Sequence, residues 1–311
     1  MTYYPVIVPT LNRYEHFKNC IDSLSKNMLA SETELIIGLD YPPADKYAEG
    51  WKKIKCYIPT ISGFRKVTCF ERSENFGSSK NSLDLEEYAL SKYDAYIYTE
   101  DDNVFSPYFL QFINDGLEKY KDDDSVYAIC GYSYPIDWKT DKDCVLQHQY
   151  FSAWGYGIWK DREERLSKNL TPEFLSDFCK NKGVRVDTVN SVQMMPAMLH
   201  DEIQKSDVTR SIYLSVTKKN VLMPTQTLVI NKGFDGSGEH CSNVQKAIFD
   251  SQRVSSKKLD VQNPVIVEGA SELEKFQISI FTEFRKRQFI SRVIKILGVE
   301  ISKRLRDFLR R

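Results

Sequence analysis

Three acidic residues directly follow a short apolar run near the middle of the chain. Residues 94–102 read Asp-Ala-Tyr-Ile-Tyr-Thr-Glu-Asp-Asp, so Glu100, Asp101 and Asp102 stand where a buried β-strand would end. Adjacent carboxylates repel one another, and a divalent cation with a phosphorylated ligand would remove that cost. Carboxylate oxygens suit hard ions such as Mg2+ or Mn2+. The run therefore predicts a metal and diphosphate site, with a solvated turn that caps the next helix as the alternative.

The elements that must position these acids alternate along the first half of the chain. Short β-rich runs and helical stretches follow one another, which is typical of a mostly parallel sheet covered by helices. Four of the runs end in polar residues, namely Pro9 to Arg13, Asp40, Arg72 to Asn81, and the three acids. Ligands bind at the carboxyl ends of parallel strands, so these four ends predict one shared site.

Size and composition narrow the class of protein. The 311 residues are 41% hydrophobic and 28% charged, which suits a large globular domain with an appendage. No run approaches the roughly 20 apolar residues of a membrane span. The N-terminus lacks the pattern of a signal peptide, and the seven cysteines form no Cys-x-x-Cys pair. We therefore expect a cytoplasmic protein without a disulfide framework or a zinc cage.

The charge is divided between an acidic body and a basic tail. From Arg285 to Arg311 there are ten Lys or Arg against two acidic residues, a net charge of +8 in a chain whose total is zero. Apolar residues recur there at helical spacing: Ile290, Val293, Ile294, Leu297, Ile301, Leu305 and Phe308. The pattern predicts a basic amphipathic helix on the inner face of the cell membrane. Packing on the body, or on a second copy in a homo-oligomer, is the alternative. The tail lacks the interleaved aromatic residues that would predict nucleic-acid binding.

Five motifs, in order, resemble those of a glycosyltransferase of the GT-A fold. Val6-Ile-Val-Pro-Thr-Leu-Asn-Arg13 resembles the first strand and nucleotide-binding turn, and Arg72 to Asn81 resembles the Asn-x-Gly loop before the donor-site helix. Glu100-Asp101-Asp102 is similar to the Asp-x-Asp motif. Trp154 to Gly157 is similar to the aromatic turn, and Asn231 to Cys241 to the loop that closes over the donor. The likeness is to bacterial family 2-like capsule and lipopolysaccharide enzymes, and more distantly to animal N-acetylglucosaminyltransferase I.

The resemblance implies a fold and an activity. The fold is α/β, a Rossmann-like three-layer α/β/α GT-A domain with a mostly parallel central sheet and a C-terminal amphipathic helical tail. The transferase domain would span residues 1–250, with a nucleotide-binding half (1–130) and an acceptor half (131–250). A linker (251–270) and the tail (271–311) would follow. The implied reaction is a metal-dependent, inverting transfer of a sugar from a nucleoside diphosphate donor, with UDP favoured. The acceptor would be a hydroxyl of a glycan or lipid-linked molecule in bacterial surface polysaccharide synthesis.

The implied roles fall on the motif residues. Asp102 and His240 would bind Mn2+ or Mg2+, and Asp207 would be the catalytic base. Donor contacts would come from Pro9, Thr10, Arg13, Asp40, Arg72, Asn75, Gly77, Lys80, Glu100, Asp101, Trp154 and Gly155. Relatives often carry a Trp shortly after the base, whereas this chain reads Asp-Val-Thr-Arg from position 207. Asp201 and Glu202 therefore stay open as bases.

Two other functions share parts of the pattern. A sugar nucleotidylyltransferase has the same layers and metal-binding acids, but the turn after the first strand contains none of the glycines that such an enzyme needs. A non-catalytic nucleotide-sugar-binding protein would keep the acids and lack the base. For single residues the alternatives are structural: a packed Trp154, a satisfied His240, and surface charges at Arg72 and Lys80. The five motifs together favour the transferase.

Overall fold

The chain divides into two compact units. A computed structural model describes residues 3–181, 183–200, 205–236, 248–249, 251–267 and 271–309. Unit 1 comprises residues 1–147, 152–162 and 220–267, and unit 2 comprises residues 148–151, 163–219 and 268–311. Three residues with predicted roles, Asp201, Glu202 and His240, lie outside the described residues.

Unit 1 is built on a sheet that has nine strands within the described residues. The strands of the chain are β1 (Val6–Thr10), β2 (Glu34–Leu39), β3 (Lys66–Glu71), β4 (Ala95–Tyr98), β5 (Asn103–Phe105), β6 (Val126–Cys130), β7 (Cys144–Gln147), β8 (Tyr156–Trp159), β9 (Asn220–Pro224), β10 (Val229–Asn231) and β11 (Val265–Ile266). The order across the large sheet is β11-β7-β9-β6-β8-β4-β1-β2-β3. Strands β5 and β10 form a separate antiparallel pair.

Most of the large sheet runs in one direction. Strands β3, β2, β1 and β4 are parallel neighbours, and β6 and β9 point the same way because antiparallel β8 lies between β4 and β6. Strands β7 and β11 run the opposite way. The predicted α/β fold with a mostly parallel central sheet is confirmed. The polar ends of β1 to β4 consequently lie side by side at one edge, as parallel strands require.

The described residues also form helices in both units. They are α1 (Tyr14–Leu24), α2 (Ala48–Tyr57), α3 (Gly77–Leu90), α4 (Phe109–Lys119), α5 (Lys160–Asn169), α6 (Pro172–Lys180), α7 (Val189–Met198), α8 (Asp207–Thr217), α9 (Ser271–Ile280), α10 (Phe284–Leu297) and α11 (Val299–Leu309). Short 3-10 helices occupy Ala30–Glu32, Asp45–Tyr47 and Ile58–Thr60. The helices of unit 1 bury an apolar face, such as Phe17, Ile21 and Leu24 of α1.

The first strand shows how the sequence suits its place. Strand β1 lies between β2 and β4, and all but one of its five residues are buried. A proline inside a central strand normally removes a ladder hydrogen bond. The amide nitrogens of Ile97 and Thr99 bond to odd-numbered carbonyls of the β1 segment, so Pro9 faces the β4 side. Strand β4 has already ended at Tyr98 there, and the missing N–H costs nothing.

The segment predicted as a linker is packed over its described part. Residues 251–267 belong to unit 1, where Leu259 and Val261 are buried and β11 extends the sheet beside β7. The Tyr120 hydroxyl donates to the Val261 carbonyl at 2.7 Å. The sequence did not indicate this packing, because polar residues separate the apolar residues over most of the segment. Residues 251–267 thus form an edge of unit 1.

Unit 2 has its own core and a buried charge cluster. Helices α6, α7, α8 and α10 contribute an apolar cluster that includes Phe178, Met195 and Ile294. Glu163 is buried between Arg210, at 2.7 Å, and Lys205, at 2.6 Å. Burial alone would raise the pKa of Glu163, but the two cations lower it. The cluster ties α8 to α5 and so holds the helix that begins with Asp207.

The basic tail forms separate helices instead of one continuous amphipathic stripe. Gly298, with φ of +78°, ends α10, and α11 begins at the next residue. Ile290 and Ile294 of α10 pack on the core of unit 2, whereas Ile301 of α11 is exposed. The apolar residues predicted to form one stripe therefore fall into two groups, one packed on the core of unit 2 and one exposed. Among the described residues, none of the helices has the length and hydropathy to cross a bilayer.

Glu34 gives a test of the fold through pH. Its buried carboxylate accepts from Lys66 and Thr68 through one oxygen, at 2.9 and 2.7 Å, and from Tyr93 through the other. Burial alone would raise the pKa of Glu34, but these three donors lower it to about 2. The ionised Glu34 carboxylate therefore contributes fully to the free energy of unfolding above about pH 4.5. This contribution is lost as the pH falls towards about 2.

We expect Glu34→Gln to lower the free energy of unfolding by on the order of 2 kcal/mol near neutral pH, and by much less near pH 2. Urea unfolding at both pH values measures the difference. Thr68→Val removes one of the three donors and should show part of the same pH dependence. An equal loss from Glu34→Gln at both pH values would contradict the assignment.

Candidate active site

The acids lie buried at the carboxyl edge of the sheet, beside the end of β1. Asp101 and Asp102 are 5% and 6% exposed, so the alternative of a solvated turn is wrong. Asp101 accepts from the Thr10 hydroxyl at 2.8 Å and pairs with the Arg13 guanidinium. The same guanidinium lies 2.8 Å from Asp102 Oδ2. One arginine thus bridges two adjacent carboxylates, and Thr10, Arg13, Asp101 and Asp102 are brought together as the sequence predicts.

The electrostatics of this cluster favour a further cation. Burial raises the pKa of Asp101; Arg13 lowers it, while the Asp102 charge raises it again. Burial would lower the pKa of Arg13, but the two aspartates raise it well above its usual value, so the guanidinium stays charged. The buried Cys20 thiol also has a raised pKa, from burial first and then from the two aspartates. Two carboxylates against one guanidinium leave excess negative charge in a place of low dielectric.

A glycine loop after β10 approaches Asp102 closely. Strand β10 pairs with β5, and the Asn231 side chain donates to Asp102 Oδ1 at 2.7 Å. The Lys232 amide donates to the Asp102 carbonyl at 2.8 Å. A Cβ on Gly233 would lie 2.2 Å from Asp102 Oδ2, well inside van der Waals contact. Any other residue here would have to displace the Asp102 carboxylate or the loop, and the loop is held directly on Asp102.

A second contact holds the far side of this loop. His16 Nε2 on α1 lies 2.9 Å from Asp235 Oδ2. Neither His16 nor Asn231 stood among the residues predicted to act on a ligand. The sequence motif marks Asn231 only as the start of the glycine loop, and His16 carries no local signal because its partner is 219 residues away. Long-range pairs of this kind become visible only in the folded chain.

Asp40 anchors the turn that leads into α3. Its carboxylate accepts from the backbone amides of Tyr41 at 2.9 Å, Phe76 at 2.8 Å and Gly77 at 2.9 Å, and from the Asn75 side chain at 3.1 Å. Gly77 has a φ of +74°, which favours glycine, and a Cβ there would meet open space. Asp40 is therefore buried because its carboxylate accepts hydrogen bonds from the Asn-x-Gly loop. Direct contact of Asp40 with a nucleotide stays a prediction.

The two basic residues of this loop differ in exposure. The Arg72 guanidinium is nearly buried, 2.6 Å from Asp84 and 4.8 Å from the Phe76 ring centre, and it donates to Asn81 at 3.0 Å. Lys80 is exposed, with its ammonium 3.8 Å from the same ring. Arg72 therefore braces the loop, whereas Lys80 extends into solvent at the sheet edge. Their predicted contacts with phosphate stay predictions.

The aromatic turn before β8 is packed among other rings. Trp154 contacts Tyr132, Phe234 and Phe249 edge to face, with ring centres 4.6, 5.7 and 5.3 Å apart. Gly155 has a φ of +73°, and a Cβ there would lie 2.9 Å from the Phe109 ring. These contacts agree with the structural alternative for Trp154, in which its ring packs among other side chains. Trp154 nevertheless remains partly exposed. Since Phe234 follows Gly233, the cluster adjoins the loop that covers Asp102.

Three further predicted residues complete the placement. Glu100 is partly exposed beside the buried aspartates, and burial together with the Glu100 charge raises the pKa of Tyr98. Pro9 lies at the same strand end. Asp207 belongs to unit 2, where it is the exposed first residue of α8, and its carboxylate accepts from the Val208 amide at 2.8 Å. Ser206 and Thr209 cap this helix reciprocally.

Comparison with known proteins decides the family. The family described as Glycosyl transferase family 2 matches residues 6–191, more than half of the chain. This chain belongs to glycosyl transferase family 2. It is a glycosyltransferase, and the match covers every predicted donor residue. No curated protein matches the chain significantly.

Solved structures of 266 chains are similar to this glycosyltransferase. They include S. aureus TarS, at 13% identity and a TM-score of 0.37, over 54% of this chain and only 29% of TarS. TarS residues 1–349 match at 12% identity and a TM-score of 0.44, over 96% of this chain and 80% of that one. The mannosyltransferase PcManGT from Pyrobaculum calidifontis, in complex with GDP-Man and Mn2+, matches at 11% identity and a TM-score of 0.42, over 97% of this chain and 88% of that one. Because the TM-scores of these three structures lie below 0.5, the assignment of this chain to its family rests on the match over residues 6–191 alone.

The acids of this glycosyltransferase fit a hard divalent cation only in part. Asp101 and Asp102 supply hard oxygen donors with excess negative charge. Among the described residues, no cluster of three or more His, Cys, Asp or Glu could hold a metal ion by itself. Mg2+ and similar ions usually take one or two carboxylates and complete their shell with waters and substrate phosphates. The donor set therefore suits an ion that binds together with a diphosphate.

Gly233 provides a test of the contact between loop and acids. We expect Gly233→Ala to lower metal-dependent nucleotide-sugar affinity by on the order of 10 to 100-fold, because the added Cβ must displace Asp102 or the loop. Titration calorimetry with Mn2+ present measures the change.

Gly236→Ala is the matched control in the same loop. Gly236 has a positive φ, unlike Gly233, and its Cβ would meet open space, so only backbone strain of about 1 kcal/mol is added. Equal losses from both variants would show that loop strain, not contact with Asp102, sets the affinity.

Proposed function

We propose that this family 2 glycosyltransferase transfers a sugar from a nucleoside diphosphate donor to a hydroxyl group with the help of Mn2+ or Mg2+, inverting the anomeric centre. The lean to a UDP-sugar and the place in bacterial surface polysaccharide synthesis rest on the motif resemblance. The observation that carries the proposal is the pair of buried carboxylates, Asp101 and Asp102, bridged by Arg13 at the carboxyl edge of the sheet.

The chemistry of the donor explains the excess negative charge of this cluster. A divalent cation, when bound, neutralises the leaving diphosphate. Asp102 would hold it through Oδ2, which lies beside Gly233 and would exchange its contact with Arg13 for the cation. Asp101 is engaged by Thr10 and Arg13 and would position Asp102 and the donor. His240 would add a metal contact from the same loop sequence.

The acceptor side is supported by a cavity farther along the same sheet edge. A cavity of about 560 Å3 lies beyond the ends of β6 and β9, lined by Ser133, Tyr134, Thr225, Gln252, Arg253 and Lys257 among others. Gln252 bonds to Tyr132, and Tyr132 packs on Trp154, so one aromatic layer separates the cavity from the glycine loop. Hydroxyl and amide groups suit the hydroxyls of a glycan, and the cations suit an anionic or phosphate-linked one.

Asp207 is the proposed base. Its carboxylate is exposed, as a group that exchanges protons with an acceptor hydroxyl must be. It lies in the first turn of α8, where a carboxylate faces the positive end of the helix dipole. Asp201 and Glu202 remain the other candidates in the same stretch of sequence.

The first experiment is binding and hydrolysis of a panel of nucleotide sugars, with and without Mn2+. We expect one donor to bind only with metal, and Asp102→Asn to lower kcat/KM for its hydrolysis by on the order of 100-fold or more. Asp122→Asn, at an exposed acid in the turn before β6, is the matched control. If no donor binds to folded wild-type protein under any metal condition, the assignment of Asp101 and Asp102 to a donor site is wrong.

Asp207→Asn separates catalysis from donor binding. Loss of a general base typically lowers kcat by on the order of 100 to 10,000-fold, while the KM for the donor should stay as in wild type. Asp187→Asn, at another acid of unit 2, is the control. Because transfer requires the acceptor, the assay measures transfer to a glycan panel using the donor found above. If Asp207→Asn keeps full transfer activity, the base lies elsewhere, with Asp201 and Glu202 to be tested next.

A further inference from the structure

Each of the last two helices exposes large apolar side chains on one of its faces. On α11, Ile301, Phe308 and Leu309 are 56%, 75% and 74% exposed, and Leu305, one turn after Ile301, is 42% exposed. On α10, Phe289 and Ile296 are 69% and 80% exposed and stand seven residues apart, on the same face. We call these six residues the outer ridge. Large apolar side chains exposed together on one face of a helix are typical of a binding surface.

Within the described residues, other side chains hold α10 and α11 in unit 2, and the outer ridge takes no part. Helix α10 is held through Ile290, Ser291 and Ile294, which face the core of unit 2. Helix α11 is held through Val299, which packs on that core, and Ser302, which is buried. Arg306 also donates to the Leu199 carbonyl. The small and polar side of α11 thus faces the unit and its apolar side faces outward, the reverse of a helix that only completes a core.

Positive charge accompanies the ridge. Arg285 and Arg292 stand four residues before and three after Phe289, and Arg304 stands three after Ile301, each close to the ridge on its helix. The acids of these helices are paired elsewhere: Glu300 with Lys303, and Asp307 with Arg306. The ridge therefore presents apolar side chains flanked by arginines, which complements an anionic lipid surface in both charge and polarity.

We propose that the outer ridge of α10 and α11 inserts into the headgroup region of an anionic membrane, with both helices parallel to the surface. Phe289, Ile296, Ile301, Leu305, Phe308 and Leu309 enter the acyl boundary, and Arg285, Arg292 and Arg304 contact lipid phosphates. Binding of this kind is peripheral and salt-sensitive. It requires no catalytic residue, so its failure and failure of the proposed transfer reaction are observed separately.

Co-sedimentation of the 311-residue chain with vesicles tests the proposal. We expect binding to vesicles of phosphatidylcholine with phosphatidylglycerol, and much weaker binding to phosphatidylcholine alone or at high salt. The double variant Leu305→Ser, Phe308→Ser should bind at least about tenfold more weakly, since two inserted side chains are lost. Leu83→Ser is the matched control, because Leu83 is a similarly exposed leucine on a helix of unit 1 and should leave binding unchanged.

Charge is tested in a separate arm. Each of Arg285→Gln, Arg292→Gln and Arg304→Gln should weaken binding to the anionic vesicles by about fivefold, in line with the usual gain per basic residue near such a surface. Circular dichroism confirms that the variants are folded.

Two results would overturn the proposal. One is that wild-type protein fails to sediment with anionic vesicles, or that the double variant sediments as well as wild type. The other is that sedimentation velocity finds a wild-type dimer that the double variant abolishes, with vesicle binding unchanged. That second result would assign the outer ridge to a second copy of the chain.

Discussion

Two carboxylates that are adjacent in sequence and buried together cannot both stay ionised without a cation beside them. Arg13 supplies that cation to Asp101 and Asp102, and the surrounding structure is arranged to keep it there. The first strand must end beside the fourth for Arg13 to reach, which is the arrangement that parallel β1 and β4 give. One guanidinium leaves the cluster short of positive charge, and a divalent cation would supply it.

The loops around this cluster are held by backbone groups more than by side-chain charges. Asp40 accepts from the backbone amides of Tyr41, Phe76 and Gly77 and thereby fixes the turn that precedes α3. The β10–β5 pair brings Gly233 so close to Asp102 that a Cβ there would displace the carboxylate or the loop. The second of these devices places the main chain of Gly233 next to Asp102.

The second unit follows a different principle, since its helices pack on one another around a methionine-rich core. The buried carboxylate of Glu163 is satisfied there by Arg210 and Lys205 and so has a structural explanation. Helices α10 and α11 use one face to join that core and keep a second apolar face outside. Two apolar faces on one pair of helices require two partners, and the core of unit 2 accounts for one.

The sequence by itself determined the α/β class with its mostly parallel sheet, and the gathering of Thr10, Arg13, Asp101 and Asp102 at one edge. These follow from local periodicity and from the rule that parallel strands share their ends. Only the tertiary structure decided that residues 251–267 are packed, that Trp154 lies among aromatic rings, and that Gly233 and Asn231 meet Asp102. It also divided the tail into an inner and an outer face, which periodicity alone had merged into one stripe. The physical reason is that such contacts join residues far apart in the chain, and local pattern carries no information about which distant surface a side chain will meet.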